Sequence, residues 1–231
     1  MNVFNKVTLA SLKQNRTRTV VTIIGIMLSA AMICASTTFV ASMQNFVLRY
    51  TVYKTGDWHG AVYDAAYKDY EDIGGSGKVA SATYAQTLGY ARINSANERK
   101  PYLYVLGGDA ASGYFETMPV HLTAGELPKS SSEIILPEHL ATNGKVSYKI
   151  GDTVTFEVGD RILDGKRLGQ INPFFTYDSE IQVEVKNDEK LENTVARTYT
   201  VVGIYERPAF ENTDAPGYTA LTVADRGADG Q

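Results

Sequence analysis

Val20–Val40 reads VVTIIGIMLSAAMICASTTFV, and this stretch decides the architecture. It lies inside Thr19–Leu48, a run without a single Asp, Glu, Lys or Arg. Twenty-one residues at ~1.5 Å per residue cover the ~30 Å hydrocarbon core of a bilayer. One charge at its centre would cost about 2.5–3.5 kcal/mol. The segment therefore reads as a transmembrane helix, with Val20, Ile24, Gly25, Ile26, Leu28, Ala31, Ile33 and Val40 in the span. The leader before it carries Lys6, Lys13, Arg16 and Arg18 and no acidic residue. That asymmetry predicts the N-terminus in the cytoplasm and everything after the span outside it. A cleaved signal peptide shares the basic leader and the small residues Ala30, Ala31 and Ala35. Its apolar region is shorter, about 7–15 residues.

Beyond the span the chain turns polar without turning charged: Ser36, Thr37, Thr38, Ser42, Gln44, Asn45. Phe39, Val40, Met43, Phe46 and Val47 recur at helical spacing. The same helix is expected to continue as a stalk, with Thr37, Met43, Phe46 and Val47 on it. Gly25, Ser29, Ala30, Ala31, Ala35 and Ser36 would let another helix approach closely. Val3, Phe4, Val7 and Leu12 share one side of a short leader helix that suits the membrane interface. The expected divisions are 1–18 for the leader, 19–48 for span and stalk, and 49–231 for an exterior part.

The exterior part is long enough for one full-sized domain or two small lobes. The chain has net charge −4. With the leader's four cations set aside, 18 basic residues face 26 acidic ones, a net of −8. Such a domain lacks the clustered cations that phosphate contacts need, so nucleic acid is not an expected partner. Cys34 is the only cysteine and lies in the span, so no disulfide framework or cysteine metal site is available.

Many short strands and few helices are expected, giving an α+β class with a mixed or antiparallel sheet. Strands are predicted over 57–63, 79–93 (broken near 86–89), 101–106, 133–136, 153–158, 179–185 and 195–205, with a charged loop over 186–193. Short helices are predicted over 65–73 and 137–142, and a helical turn over 110–117. Asp164-Gly165 is a hairpin signal. Gly203 inside a strand suggests a bulge or a close approach.

Motifs for chemistry fail on detail. Gly74-Gly75-Ser76-Gly77-Lys78 resembles a phosphate loop, but Asp72 stands where that pattern needs Gly and Val79 where it needs Ser or Thr. His59, His121 and His139 stand alone, with no metal-ligand spacing. No G-x-S-x-G elbow occurs. Neither an enzymatic role, a cofactor nor a metal site is expected.

The order of features resembles the permease subunits of ABC transporters in the FtsX/MacB-like class. The resemblance rests on Asn15-Arg16-Thr17-Arg18-Thr19 running into Val21-Thr22-Ile23-Ile24-Gly25-Ile26. It continues in Leu122-Thr123-Ala124-Gly125-Glu126-Leu127-Pro128 and Glu133-Ile134-Ile135-Leu136, then Lys149-Ile150-Gly151-Asp152-Thr153-Val154, then Tyr199-Thr200-Val201-Val202-Gly203-Ile204. Gly125, Pro128, Gly151, Asp152 and Gly203 are the family-like turn positions.

The resemblance implies a MacB-like periplasmic core domain in a permease of the bacterial cell membrane that couples ATP hydrolysis by a separate cytoplasmic ATPase to mechanical export, extraction or signalling. Implied partners are that ATPase, a second permease copy, the lipid bilayer, and an exported substrate or exterior partner. Ser36–Val47 would transmit the motion. Trp58, Tyr102, Tyr104, Phe174, Phe175 and Phe210 are candidate exposed contacts. Permeases of this class have at least four spans, whereas no second run of about 18 apolar residues follows Leu48. The expectation is therefore a fragment ending before the second span. The rival reading is a single-span anchored binding or sensor module, complete as written.

Overall fold

The computed structural model describes residues 3–178, 180 and 182–225. The chain divides into two compact units, Met1–Thr51 and Val52–Gln231.

In the first unit, α1 (Val3–Gln14) ends at Asn15 and α2 (Arg16–Thr55) begins at once. α2 is 40 residues long, about 60 Å at helical rise. No Pro interrupts it, and Thr22, Ser29, Ser36 and Thr37 bond their hydroxyls back to carbonyls one turn earlier. Their polar groups are thus satisfied within the helix, as a bilayer demands. Among the described residues α2 is the one helix long and apolar enough to cross a membrane. The expected span and stalk residues all lie on it.

The second unit is built on strands. β1 (Ala85–Arg92), β2 (Tyr102–Gly108), β3 (Leu122–Gly125), β4 (Glu133–Pro137) and β5 (Thr153–Leu163) come first. β6 (Lys166–Leu168), β7 (Phe175–Asp178), β8 (Val183–Lys186), β9 (Lys190–Tyr205) and β10 (Gly217–Val223) follow. Three short helices accompany them: α3 (Tyr67–Gly75), α4 (Tyr114–Thr117) and α5 (His139–Thr142). The class is mixed α+β.

Six strands pair in a ring: β1–β2–β10–β4–β9–β5 and back to β1. β2–β10 and β4–β9 are parallel, the other four pairs antiparallel. Closure removes the open edges that a flat sheet would expose. The 16-residue β9 makes closure possible: its first part pairs with β5, and its last part pairs with β4 and with the short β3. Alternate residues of all six strands fill the interior, including Leu103, Val105, Ile134, Leu136, Val201 and Ala220. A second core lies outside the ring, where Tyr114 and Phe115 of α4 cover Leu106, Ile135, Tyr205 and Leu221.

Several expectations change. Asp57–Tyr63 is not a strand; it is an exposed irregular segment. Pro137 ends β4, and α5 starts at His139. The 186–193 loop is shorter than expected, since β8 runs to Lys186 and β9 starts at Lys190. β10 answers to no predicted element, although it lies in the middle of the ring. The 179–185 strand is seen only as β8, and residues 179 and 181 lie outside the described residues. Tyr102 and Phe174 are buried, at 1% and 3% exposure, so they are packing residues and not exposed contacts. Trp58 and Phe210 are exposed, while Tyr104 and Phe175 are intermediate.

Candidate functional site

The three family-like turns, far apart in sequence, meet on β9. Gly125 pairs with Gly203 across β3 and β9. Glu126 N–H donates to Val202 O at 3.0 Å, and Gly151 N–H donates to Val201 O at 2.8 Å. Asp152 closes its own turn, its Oδ2 accepting from Lys149 N–H at 2.8 Å. Pro128 is buried just beyond. Val201 faces the interior and Val202 the outer core, as alternation requires, and the β4–β9 register then slips by one residue between Ile134 and Ile135, so that Ile204 and not Gly203 returns to the interior. Gly203 sits at this bulge, where a Cβ would come within 2.6 Å of Glu126 O. The bulge re-aims the strand, and the two turns pack against it.

β9 ends beside the last turn of α2, within the second unit. The Tyr53 ring stacks on His121 with centroids 3.9 Å apart and planes 9° apart. His121 Nε2 lies 2.7 Å from Tyr53 O, and Tyr53 O–H donates to Glu206 Oε2 at 3.2 Å. Glu206 N–H in turn donates to His121 O at 2.8 Å. Asp57 N–H donates to Thr117 O at 2.8 Å, and Trp58 Nε1–H caps Thr55 O at 2.6 Å. The helix end is thus held by the starts and ends of other elements. No motif singled out Tyr53, His121 or Glu206; a lone His and a lone Glu carry no spacing signal.

The loop from Glu206 to Pro216 then carries a buried ionic cluster. Glu211 has no exposed side-chain surface and accepts from His139 Nε2 at 2.8 Å, Lys100 Nζ at 3.2 Å and Thr219 N–H at 2.8 Å. Arg207 Nε approaches to 3.5 Å. Burial alone pushes the Glu211 carboxyl up, but the bond and charge of His139, the charge of Lys100 and the Thr219 N–H outweigh it. Its pKa lies below the usual carboxylate value. Lys100 goes down as well, because burial costs the ammonium more than Glu211 returns. The two partners differ because Glu211 collects several donors, whereas Lys100 sees chiefly one anion and the Ala215 carbonyl, at 2.7 Å.

A second buried pair lies toward the other end of β9. Arg161, fully buried, makes a bidentate bond to Glu189, 2.7 Å at each oxygen, and donates to Gly169 O and Asn172 O. Its guanidinium sits over the Tyr90 and Tyr102 rings. These bonds fasten the excursion between β5 and β9. Gly74 and Gly75 end α3, and Ser76 caps it with its N–H on Ile73 O. Among the described residues no cluster of three or more His, Cys, Asp or Glu could hold a metal.

A model of the MacB-like periplasmic core domain family matches residues 19–226. The chain belongs to that family. The crystal structure of a domain assigned to a permease protein from Porphyromonas gingivalis is similar at 15% identity and a TM-score of 0.34. The match covers 74% of this chain and 53% of that one, so the chain spans about half of its length. No curated protein matches the chain. The apolar helix and the family together fit a membrane protein with an extracytoplasmic domain.

Proposed function

We propose that this chain is the force-carrying part of an ABC-transporter permease subunit. Residues 1–18 lie in the cytoplasm, 19–48 cross the membrane and rise as the stalk, and 49–231 form the exterior domain. A separate cytoplasmic ATPase hydrolyses ATP, and a second permease copy completes the transporter. The permease itself performs no chemistry. It moves, and the exterior domain converts that movement into export, extraction or a signal to an exterior partner.

One observation carries the reading: within the second unit the last turn of α2 is tied to the sheet domain, Tyr53 stacking on His121 and bonding Glu206. A helix end fixed to a domain can hand a displacement to it.

The test uses the full-length protein in native membranes, in a Cys34→Ala background with a fluorophore at Tyr63→Cys. An ABC ATPase should copurify, and ATP should change the fluorescence. Tyr53→Ala should keep the ATPase bound but lose most of the ATP-dependent signal. Absence of any copurifying ATPase, or a fluorophore blind to ATP with the joint intact, refutes the reading.

A further inference from the structure

Phe174, at the foot of the β7–β8 hairpin, is buried, and two cations lie against its ring. Arg92, the last residue of β1, holds its guanidinium carbon 5.3 Å from the Phe174 centroid and 5.1 Å from that of Tyr102. Lys186, the last residue of β8, holds Nζ 5.3 Å from the same Phe174 centroid. The frame around them is fixed. Tyr102 stands edge-on to Phe174, with centroids 5.8 Å apart and planes at 87°, and its hydroxyl accepts from Arg92 Nη1 at 3.2 Å. Next to Lys186, Asn187 N–H donates to Phe174 O at 3.0 Å and its Nδ2–H donates to Pro173 O at 2.8 Å.

These two cations differ from their neighbours. Arg99 holds Glu184, and Arg161 holds Glu189. Among the described residues neither Arg92 nor Lys186 has an ion pair, and the Tyr102 hydroxyl is the one hydrogen-bond partner of the Arg92 guanidinium. Yet both lie in the part of the chain where 26 acidic residues outnumber 18 basic ones. Carboxylates are plentiful there, and none reaches this pair. Two like charges on one ring repel each other, and an arriving anion turns that repulsion into two attractions.

We infer that Arg92 and Lys186 form a binding site for a phosphate group. The charge matches, since a phosphate monoester carries about −1.5 to −2 at pH 7 against two positive charges. The donors match as well. The guanidinium fork suits two phosphate oxygens, and the ammonium offers a point charge to a third. A carboxylate, with one charge and two oxygens, satisfies only one of the two cations. Both side chains are exposed to an incoming ligand, and their contact with the aromatic rings leaves less rotamer freedom to lose on binding. The site lies wholly within the second unit and does not rest on the transporter reading.

The test is calorimetric titration of the full-length protein in detergent with inorganic phosphate and with glycerol phosphate, at constant ionic strength. Both should bind, and acetate should bind about tenfold or more weaker. Glycerol phosphate binding at least as tightly assigns an organic phosphate; weaker binding assigns the free ion. Arg92→Gln and Lys186→Gln should each weaken phosphate about tenfold or more. Lys186→Arg keeps both the charge and the cover over Phe174 and should retain binding, and Lys190→Gln, an exposed cation on β9, should change nothing. Thermal midpoints measured without phosphate separate loss of the site from loss of the fold. The site is refuted if phosphate binds no better than acetate, if a folded Arg92→Gln or Lys186→Gln protein binds as the natural one does, or if Lys190→Gln loses as much. The titration needs no ATPase, so its failure removes the phosphate site and leaves the transporter reading intact.

Discussion

Glu211 keeps its charge without touching water because the donors around it offset the lost hydration. That arrangement has a pH consequence. A carboxyl whose folded pKa lies below its unfolded value adds stability above the unfolded value, near 4.5, and loses it as pH falls through the folded one. Urea midpoints should therefore drop between about pH 5 and pH 3 in the natural protein. Glu211→Gln should lower stability at pH 7 by about 3 kcal/mol, leaving Lys100 buried with less counter-charge, and should flatten the acid slope. Parallel slopes for the two proteins would show that other carboxyls dominate acid unfolding. None of this cluster was legible from the chain. Lys100, His139 and Glu211 are separated by 39 and 72 positions, and only the packing of the Glu206–Pro216 loop against α5 and the β1–β2 connection brings them together.

Among the elements, the turns divide by what surrounds them. Gly125 has φ +79, and a Cβ there would lie 2.2 Å from Val202 O. Gly151 has φ +95 but open space around it. Both positions disfavour a side chain by backbone conformation, and only the first also by collision. Gly125→Ala should cost about 3 kcal/mol or more and Gly151→Ala about 1–2 kcal/mol, read from urea unfolding of the whole chain in detergent. Equal costs would mean that β3 yields. The turn residues were legible as turns, because Gly before a strand carries local information. β10 was not. Gly217–Val223 has no clear alternation, since it is covered on both faces, and a strand buried on both sides has no periodicity to read.

For the whole molecule, closure of the six-strand ring concentrates stability in one body and leaves the 57–66 segment outside it. Val62 and Tyr63 are exposed there, in chain with no ladder hydrogen bonds. Chymotrypsin should cut first at Tyr63 or Trp58, and the fragment running on from the cut should melt at the same temperature as before, because no ring strand is broken. Early cuts within β1–β10 would overturn this. The sequence alone determined a helix long and apolar enough to cross a membrane, the α+β class and the family, since apolar length and the order of strands and turns are local properties. Tertiary structure alone decided that the sheet closes, that three distant turns meet at one bulge of β9, and that Tyr53 is gripped by His121 and Glu206. The physical reason is that these depend on register and burial between strands remote in the chain, which no local pattern encodes.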